Sequence, residues 1–103
     1  MRNCELEYPA LARLFALYLH ADWPDEYAND WEAAAAFAAL EPALAARLPA
    51  EVELVRSRVV LETDLVELLV THLRCAFWPY AGGISYGQWL EDLAEYVSTR
   101  LAG

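Results

Sequence analysis

His72 and Cys75 lie three positions apart, an arrangement typical of nucleophilic catalysis. In such a pair the imidazole removes the thiol proton and leaves a reactive thiolate. The same two residues are also typical of a helix end packed on a core, where histidine interacts favourably with the helix dipole. None of the three serines lies in a nucleophile-elbow pattern. We therefore predict no catalytic residue and no enzymatic activity, and unusual reactivity of the Cys75 thiol would contradict this prediction.

The possible metal ligands are poorly spaced for a metal site. Zinc ligands usually come in closely spaced pairs. Here His20 lies near Asp22, and His72 lies near Cys75, so a four-ligand site would need distant helices to converge. Adjacent carboxylates, as at residues 25–26, point in different directions. We predict neither a metal nor another cofactor.

The most distinctive feature is an acidic and aromatic segment, residues 22–32. It carries five carboxylates and three large rings without a positive charge. Trp23, Tyr27 and Trp31 recur every four residues, although a proline interrupts a continuous helix. A second aromatic cluster lies in the loop at residues 77–86. Aromatic anchors and charge of one sign are typical of a protein-binding surface. The alternative is a solvated acidic loop whose rings pack on the core.

The overall charge restricts the class of partner. Seven arginines, no lysine and 16 acidic residues give a net charge of −9. Phosphate binding needs clustered cations, so neither nucleic acid nor an anionic membrane surface is an expected partner. A basic protein fits the charge. The length of 103 residues predicts one domain over residues 1–103.

Several features of the chain predict a cytoplasmic location. Glu5 and Glu7 are wrong for the positively charged start of a signal peptide. The longest apolar run, residues 33–40, is far shorter than the roughly 20 residues that cross a bilayer. Cys4 and Cys75 form no disulfide pattern, which indicates reduced thiols.

Hydrophobic residues recur every three or four positions along most of the chain, which predicts helices. The first helix begins at Pro9 and ends near His20, because Pro24 restricts the residue before it to extended geometry. The second helix covers residues 31–40, capped by Asn29 or by Asp30.

The middle of the chain is more irregular. Residues 42–58 form one irregular helix or two short ones, because Pro49 lacks a backbone donor. Residues 58–61 are expected to be a helix end and turn rather than a strand. A capping-box spacing at residues 64–67 predicts the start of a helix over about residues 65–75.

The last part of the chain is predicted as a loop followed by a helix. Pro79 and a glycine pair indicate a loop over residues 76–84. Ser85 and Gln88 have capping-box spacing, and the helix that follows buries Trp89 or Leu90, then Leu93, Val97 and Leu101. The predicted fold is therefore all-α, a compact single-domain bundle of four to six helices.

The two aromatic clusters carry a resemblance to a known family. Residues 17–23, Leu-Tyr-Leu-His-Ala-Asp-Trp, with Tyr27 downstream, resemble the "FHQDW…Y" signature of contact-dependent growth inhibition immunity proteins. Residues 73–79, followed by residues 83–90, resemble that family's second signature, "LGCYYDP" and then "G-(L/I)-S/T-Y-x-x-W-L". The resemblance covers about residues 6 to 100. Two departures are an alanine at position 21, where the family tends to have Gln, and Arg74, where Gly is usual.

The resemblance implies a cytoplasmic inhibitor that binds the toxic C-terminal domain of a delivered effector. Many such toxins are nucleases with cationic grooves, which an acidic, aromatic-bearing surface would complement. The signature residues themselves are expected to mark the fold. The predicted partner-binding residues are Asp22, Trp23, Asp25, Glu26, Tyr27, Asp30, Tyr80 and Tyr86. The alternative function is a small acidic helical adaptor that binds a host protein, and the sequence leaves the oligomeric state open.

Overall fold

Helices make up most of the regular structure of the computed structural model, which describes residues 7–102. No strand occurs within this range. The α-helices are α1 (Pro9–Leu17), α2 (Trp23–Glu26), α3 (Asp30–Leu40), α4 (Pro42–Ala45), α5 (Leu48–Arg58), α6 (Glu62–Val66) and α7 (Tyr86–Ala102). Helix α6 continues as a π-helix over Glu67–His72, and Pro79–Gly82 form a 3₁₀ turn.

The predicted all-α fold is confirmed. Within residues 7–102, five helices have nine or more residues when α6 is counted with its π-helical continuation, whereas α2 and α4 are single turns. None of the helices in residues 7–102 is long and apolar enough to cross a membrane. Cys4 lies outside the described residues.

The longest helix, α7, forms the centre of the bundle. It packs against α5, α3 and α6, and α1 packs against α5 and α4. The predicted core face of α7 is confirmed for Trp89, Leu90, Leu93 and Val97, which are buried, whereas Leu101 is only half-buried. The spacing of three and four positions also predicts one apolar face around α1, and this face is confirmed because its members are all buried: Tyr8, Leu11, Leu14, Phe15 and Tyr18.

Two local caps form as the sequence predicts. The Asn29 side chain accepts a hydrogen bond from the backbone N–H of Glu32 at 2.9 Å. The Ser85 hydroxyl accepts one from the N–H of Gln88 at 3.1 Å. Residues 42–58 form two helices, α4 and α5. Pro49 lies in the first turn of α5 and leaves the helix intact, because the first N–H groups of a helix have no partner within it.

Other helix boundaries differ from the prediction. Helix α1 ends at Leu17 rather than near His20. The helix expected from residue 65 begins three residues earlier, at Glu62, and has no side-chain cap. The capping box predicted at residues 64–67 was therefore wrong. Helical spacing with Leu65, Leu69 and Leu73 predicts a buried position for His72, but the π-helical turn leaves this side chain exposed.

Two residues after the π-helix, Arg74 has a φ of 60° and is the one described residue other than glycine with positive φ. This left-handed geometry lets the N–H of Cys75 donate to the carbonyl of Leu69 at 2.7 Å. The next residue, Ala76, donates to the carbonyl of Leu19 and so joins this turn to the end of α1. Glycine is the residue that fits such a position best, which explains why the related signature usually has Gly here.

Replacing Arg74 with glycine is expected to stabilise the protein. Relief of the left-handed strain, of about 1–2 kcal/mol, exceeds the entropic cost of glycine, so Arg74→Gly should raise the free energy of unfolding by about 0.5–1 kcal/mol. Urea denaturation measures the change. The control is Arg74→Ala, which removes the same charge and keeps the strain. Equal stability of the two variants would contradict the explanation.

Candidate partner-binding surface

The single-turn helix α2 presents most of the predicted acidic contact residues. Asp22, Asp25 and Glu26 are all exposed. His20 holds the turn from both sides: the backbone N–H of Asp22 donates to Nδ1 at 3.1 Å, and Nε2 lies 2.5 Å from Glu26 Oε2. No arginine of residues 7–102 pairs with Asp22 or Asp25. The turn is thus a fixed, negatively charged surface.

The predicted aromatic residues of this segment are only half-exposed. Trp23 packs edge-on against Phe77, with 5.8 Å between ring centroids. Tyr27 lies beside Tyr18 at 6.4 Å. Each ring therefore anchors the turn to the core and leaves only part of its surface for a partner.

Asp30 has a structural contact that the sequence did not indicate. Its Oδ2 accepts a hydrogen bond from the indole Nε1–H of Trp89 at 2.9 Å, and the side chain is half-buried. Trp89 itself is fully buried in the first turn of α7. The carboxylate of Asp30 thus joins the start of α3 to α7.

Tyr86 is a core residue, and its prediction as a partner contact was wrong. Its exposed fraction is 0 %. The hydroxyl donates to the carbonyl of Phe77 at 2.7 Å, and burial raises the pKa of Tyr86. At the first position of α7, the helical register directs this ring against Trp89, at 6.3 Å between centroids.

Tyr80 keeps 36 % of its surface exposed, so it remains a candidate. Its hydroxyl donates to the carboxylate of Glu62, and burial together with this bond raises the pKa of Tyr80 to about 12. Glu62 also accepts hydrogen bonds from the N–H groups of Tyr86 and Gly87, at 2.8 and 3.3 Å. One carboxylate therefore caps the start of α7 and fixes the ring of Tyr80.

An apolar surface next to Tyr80 was only partly predicted, because the sequence indicated the aromatic cluster at residues 77–86 but not the exposed residues before α6. Trp78 is 53 % exposed, and its ring lies 4.9 Å from that of Tyr80. Val60 and Leu61, immediately before Glu62, are 81 % and 62 % exposed. The hydrogen bond from Tyr80 to Glu62 connects this turn to the aromatic rings, and clustered exposed apolar groups are typical of interaction sites. The position of these residues in a predicted turn and a predicted loop was the available sequence signal for their exposure, because buried hydrophobic residues usually lie within helices.

The residues considered for catalysis do not form a reactive pair. The Cys75 thiol is buried and lies 3.6 Å from the carbonyl of Phe77, and burial raises the pKa of Cys75 to about 12. Its thiolate is therefore scarce at neutral pH, and the exposed His72 gives it no compensating charge. Within residues 7–102, no group of three or more histidines, cysteines and carboxylates could hold a metal ion.

The family model of the CdiI immunity protein matches residues 7–97. The chain belongs to the CdiI immunity protein family. Neither a curated protein nor a solved structure matches it. The residues that resemble the family signatures have structural roles here: His20 fixes the backbone of Asp22, and Trp89 bonds to Asp30. CdiI membership therefore accounts for the fold, whereas the exposed residues of the α2 turn and of the loop around Trp78 are the candidates for contact with a partner.

Proposed function

We propose that this protein binds the toxic C-terminal domain of a cognate contact-dependent inhibition effector, one to one, in the cytoplasm, and thereby blocks it. Membership of the CdiI immunity protein family carries this proposal. The toxin domain is basic, a nuclease with a cationic substrate groove, and the protein acts by occupying that surface rather than by catalysis. This choice of toxin rests on the acidic character of the inhibitor, whose net charge is −9.

The acidic turn supports an electrostatic first contact. Asp22, Asp25 and Glu26 project from one short turn, and His20 and Trp23 hold that turn against the fold. Fixed charges of one sign raise the rate of encounter with an oppositely charged surface and select the correct partner. In this proposal the turn faces the basic groove of the toxin.

The exposed rings support a second, apolar contact. Trp78 and Tyr80 lie against each other and against Tyr86, at ring distances of 5.9 and 5.6 Å from its centroid. They are therefore ordered before binding, which lowers the entropic cost of using them as anchors. Aromatic side chains often contribute most of the binding energy at an interface. We add Trp78 and Leu61 to the proposed contact residues and omit Tyr86.

Calorimetry tests the proposal against the C-terminal domain of a large secreted protein encoded beside this chain. We expect one-to-one binding with a dissociation constant of about nanomolar order, weaker at high salt because the encounter is electrostatic. A toxin activity assay should show loss of activity at a one-to-one ratio. Tight binding that is insensitive to salt would assign the contact to Trp78 and Tyr80 instead. Absence of binding to the folded toxin domain would favour an adaptor function.

A further inference from the structure

A surface depression of about 430 Å³ lies between α3 and α7, and its lining residues belong to these two helices. Its walls are the rings of Trp31 and Tyr96, 5.0 Å apart between centroids and inclined by 37°. Both rings are half-buried, so they are held by the fold and still accessible. The remaining lining residues are polar or charged: Asp92, Glu95, Thr99 and Arg100.

The charges around the depression favour a cation. Asp92 and Glu95 contribute two carboxylates, and only Arg100 opposes them. Asp92 accepts one hydrogen bond, from Gln88 at 3.0 Å. The carboxylate of Glu95 has no ion pair within the described part of the chain. A phosphate would be repelled here, and an apolar group would leave the carboxylates without a partner.

The protein itself has a guanidinium at this site. The Cζ atom of Arg100 lies 5.4 Å from the centroid of the Tyr96 ring, within cation–π distance. Arg100 is exposed and lies in the last turn of α7, so it can leave the ring at little cost. This contact shows that the face of the Tyr96 ring accepts a guanidinium cation. Arg100 therefore competes with an external cation for the same ring face.

We propose that the depression binds an arginine side chain of the toxin domain, which displaces Arg100 from the Tyr96 ring. A guanidinium is planar, so it can stack on Trp31 or Tyr96 while its N–H groups bond to Asp92 and Glu95. A lysine ammonium would satisfy the charge but not the stacking. This inference rests on the proposed function and adds a second, specific contact to it.

Two substitutions with opposite expected effects test the contact in calorimetry with the toxin domain. Glu95→Gln removes one carboxylate and should weaken binding about three- to tenfold. Arg100→Met removes the competing cation and should strengthen binding about two- to fivefold. The control is Arg13→Met, which makes the same change in net charge. Arg13 lies on α1, where it pairs with Glu41, and it is not a lining residue of the depression. Equal effects of Arg100→Met and Arg13→Met would overturn the inference.

A titration of the isolated, isotopically labelled protein gives an independent test. N-acetyl-arginine methyl ester should shift the indole N–H signal of Trp31 and the amide signals near Tyr96. N-acetyl-norleucine methyl ester, which has an apolar side chain in place of the guanidinium, should not. Equal shifts with both esters would overturn the inference even if the toxin binds.

If the wild-type protein does not bind the toxin domain, the proposed function fails and this inference fails with it. If the wild-type protein binds but none of the variants differs from it, only this inference fails.

Discussion

Reversal of both charges at Asp25 and Glu26 should slow association with the toxin domain by about ten- to a hundredfold at low salt. Both side chains are exposed on α2, and Asp25 has no cationic partner within residues 7–102. Replacing them with lysine changes an attractive surface into a repulsive one where a basic partner first approaches. The dissociation rate should change much less, because the apolar contacts made by Trp78 and Tyr80 are retained.

Stopped-flow association at several salt concentrations measures this effect. The wild-type rate should fall steeply with salt, whereas the rate of the Asp25→Lys, Glu26→Lys variant should be nearly flat. Because Glu26 also contacts His20, circular dichroism and thermal unfolding must first confirm that the variant is folded.

The matched control is a variant that reverses Glu53 and Glu67. Both are exposed and lie on other helical segments, Glu53 on α5 and Glu67 on the π-helix, and the change in net charge is the same. This control should lower the association rate only slightly. If both variants slow association equally, net charge rather than the α2 turn steers the encounter, and the proposed position of the contact is wrong.

The parts of the fold that depend on neighbouring residues could be predicted from the sequence. Asn29 caps α3 and Ser85 caps α7 through hydrogen bonds that span three residues. The core face of α7 follows from helical spacing alone, because every fourth or third side chain returns to the same side. These features need no knowledge of how the helices pack.

Most of the features that were missed depend on side-chain packing that helical spacing alone does not specify. Glu62 caps α7 although it lies 24 positions before Tyr86 in the sequence. Helix α6 begins at Glu62, which is earlier than the capping-box spacing at residues 64–67 predicts. Tyr86 and Trp78 both belong to an aromatic loop, and only the packing around Trp89 decides that the first is buried and the second exposed. Composition can therefore identify an aromatic cluster, but it cannot separate its exposed rings from those in the core.

Glu51 is another long-range feature and carries the largest expected effect on stability. Its carboxylate, 5 % exposed, accepts hydrogen bonds from the N–H of Ala10 with both oxygens, at 2.9 and 3.0 Å. The N–H of Leu11 donates to the same carboxylate at 3.0 Å. The first residue before α1, Tyr8, provides no side-chain cap. Glu51 therefore caps α1 from α5 and joins the two helices.

Replacing Glu51 with alanine should lower the free energy of unfolding by about 2–4 kcal/mol, because it leaves two buried N–H groups without an acceptor. Glu51→Gln should have a smaller effect, since its amide oxygen can still accept from Ala10 and Leu11. The control is Glu53→Ala, two positions away and exposed, which should change the free energy by less than about 0.5 kcal/mol. Urea denaturation monitored by circular dichroism measures all three. Equal effects at Glu51 and Glu53 would contradict the capping role.

The pH dependence of the free energy of unfolding tests whether burial or hydrogen bonding has the larger effect on the pKa of Glu51. Burial raises the pKa of Glu51, while the N–H groups of Leu11 and Ala10 and the charge of Arg47 act in the opposite direction. A carboxyl with a higher pKa in the folded state stabilises the fold fully below its unfolded pKa, and this contribution is lost as the pH rises through its folded pKa. Since Glu51→Gln does not titrate, the wild-type free energy of unfolding minus that of Glu51→Gln should fall as the pH is raised from about 4 towards neutral. A difference that grows with pH would mean that the N–H donors outweigh burial and hold the carboxylate ionised.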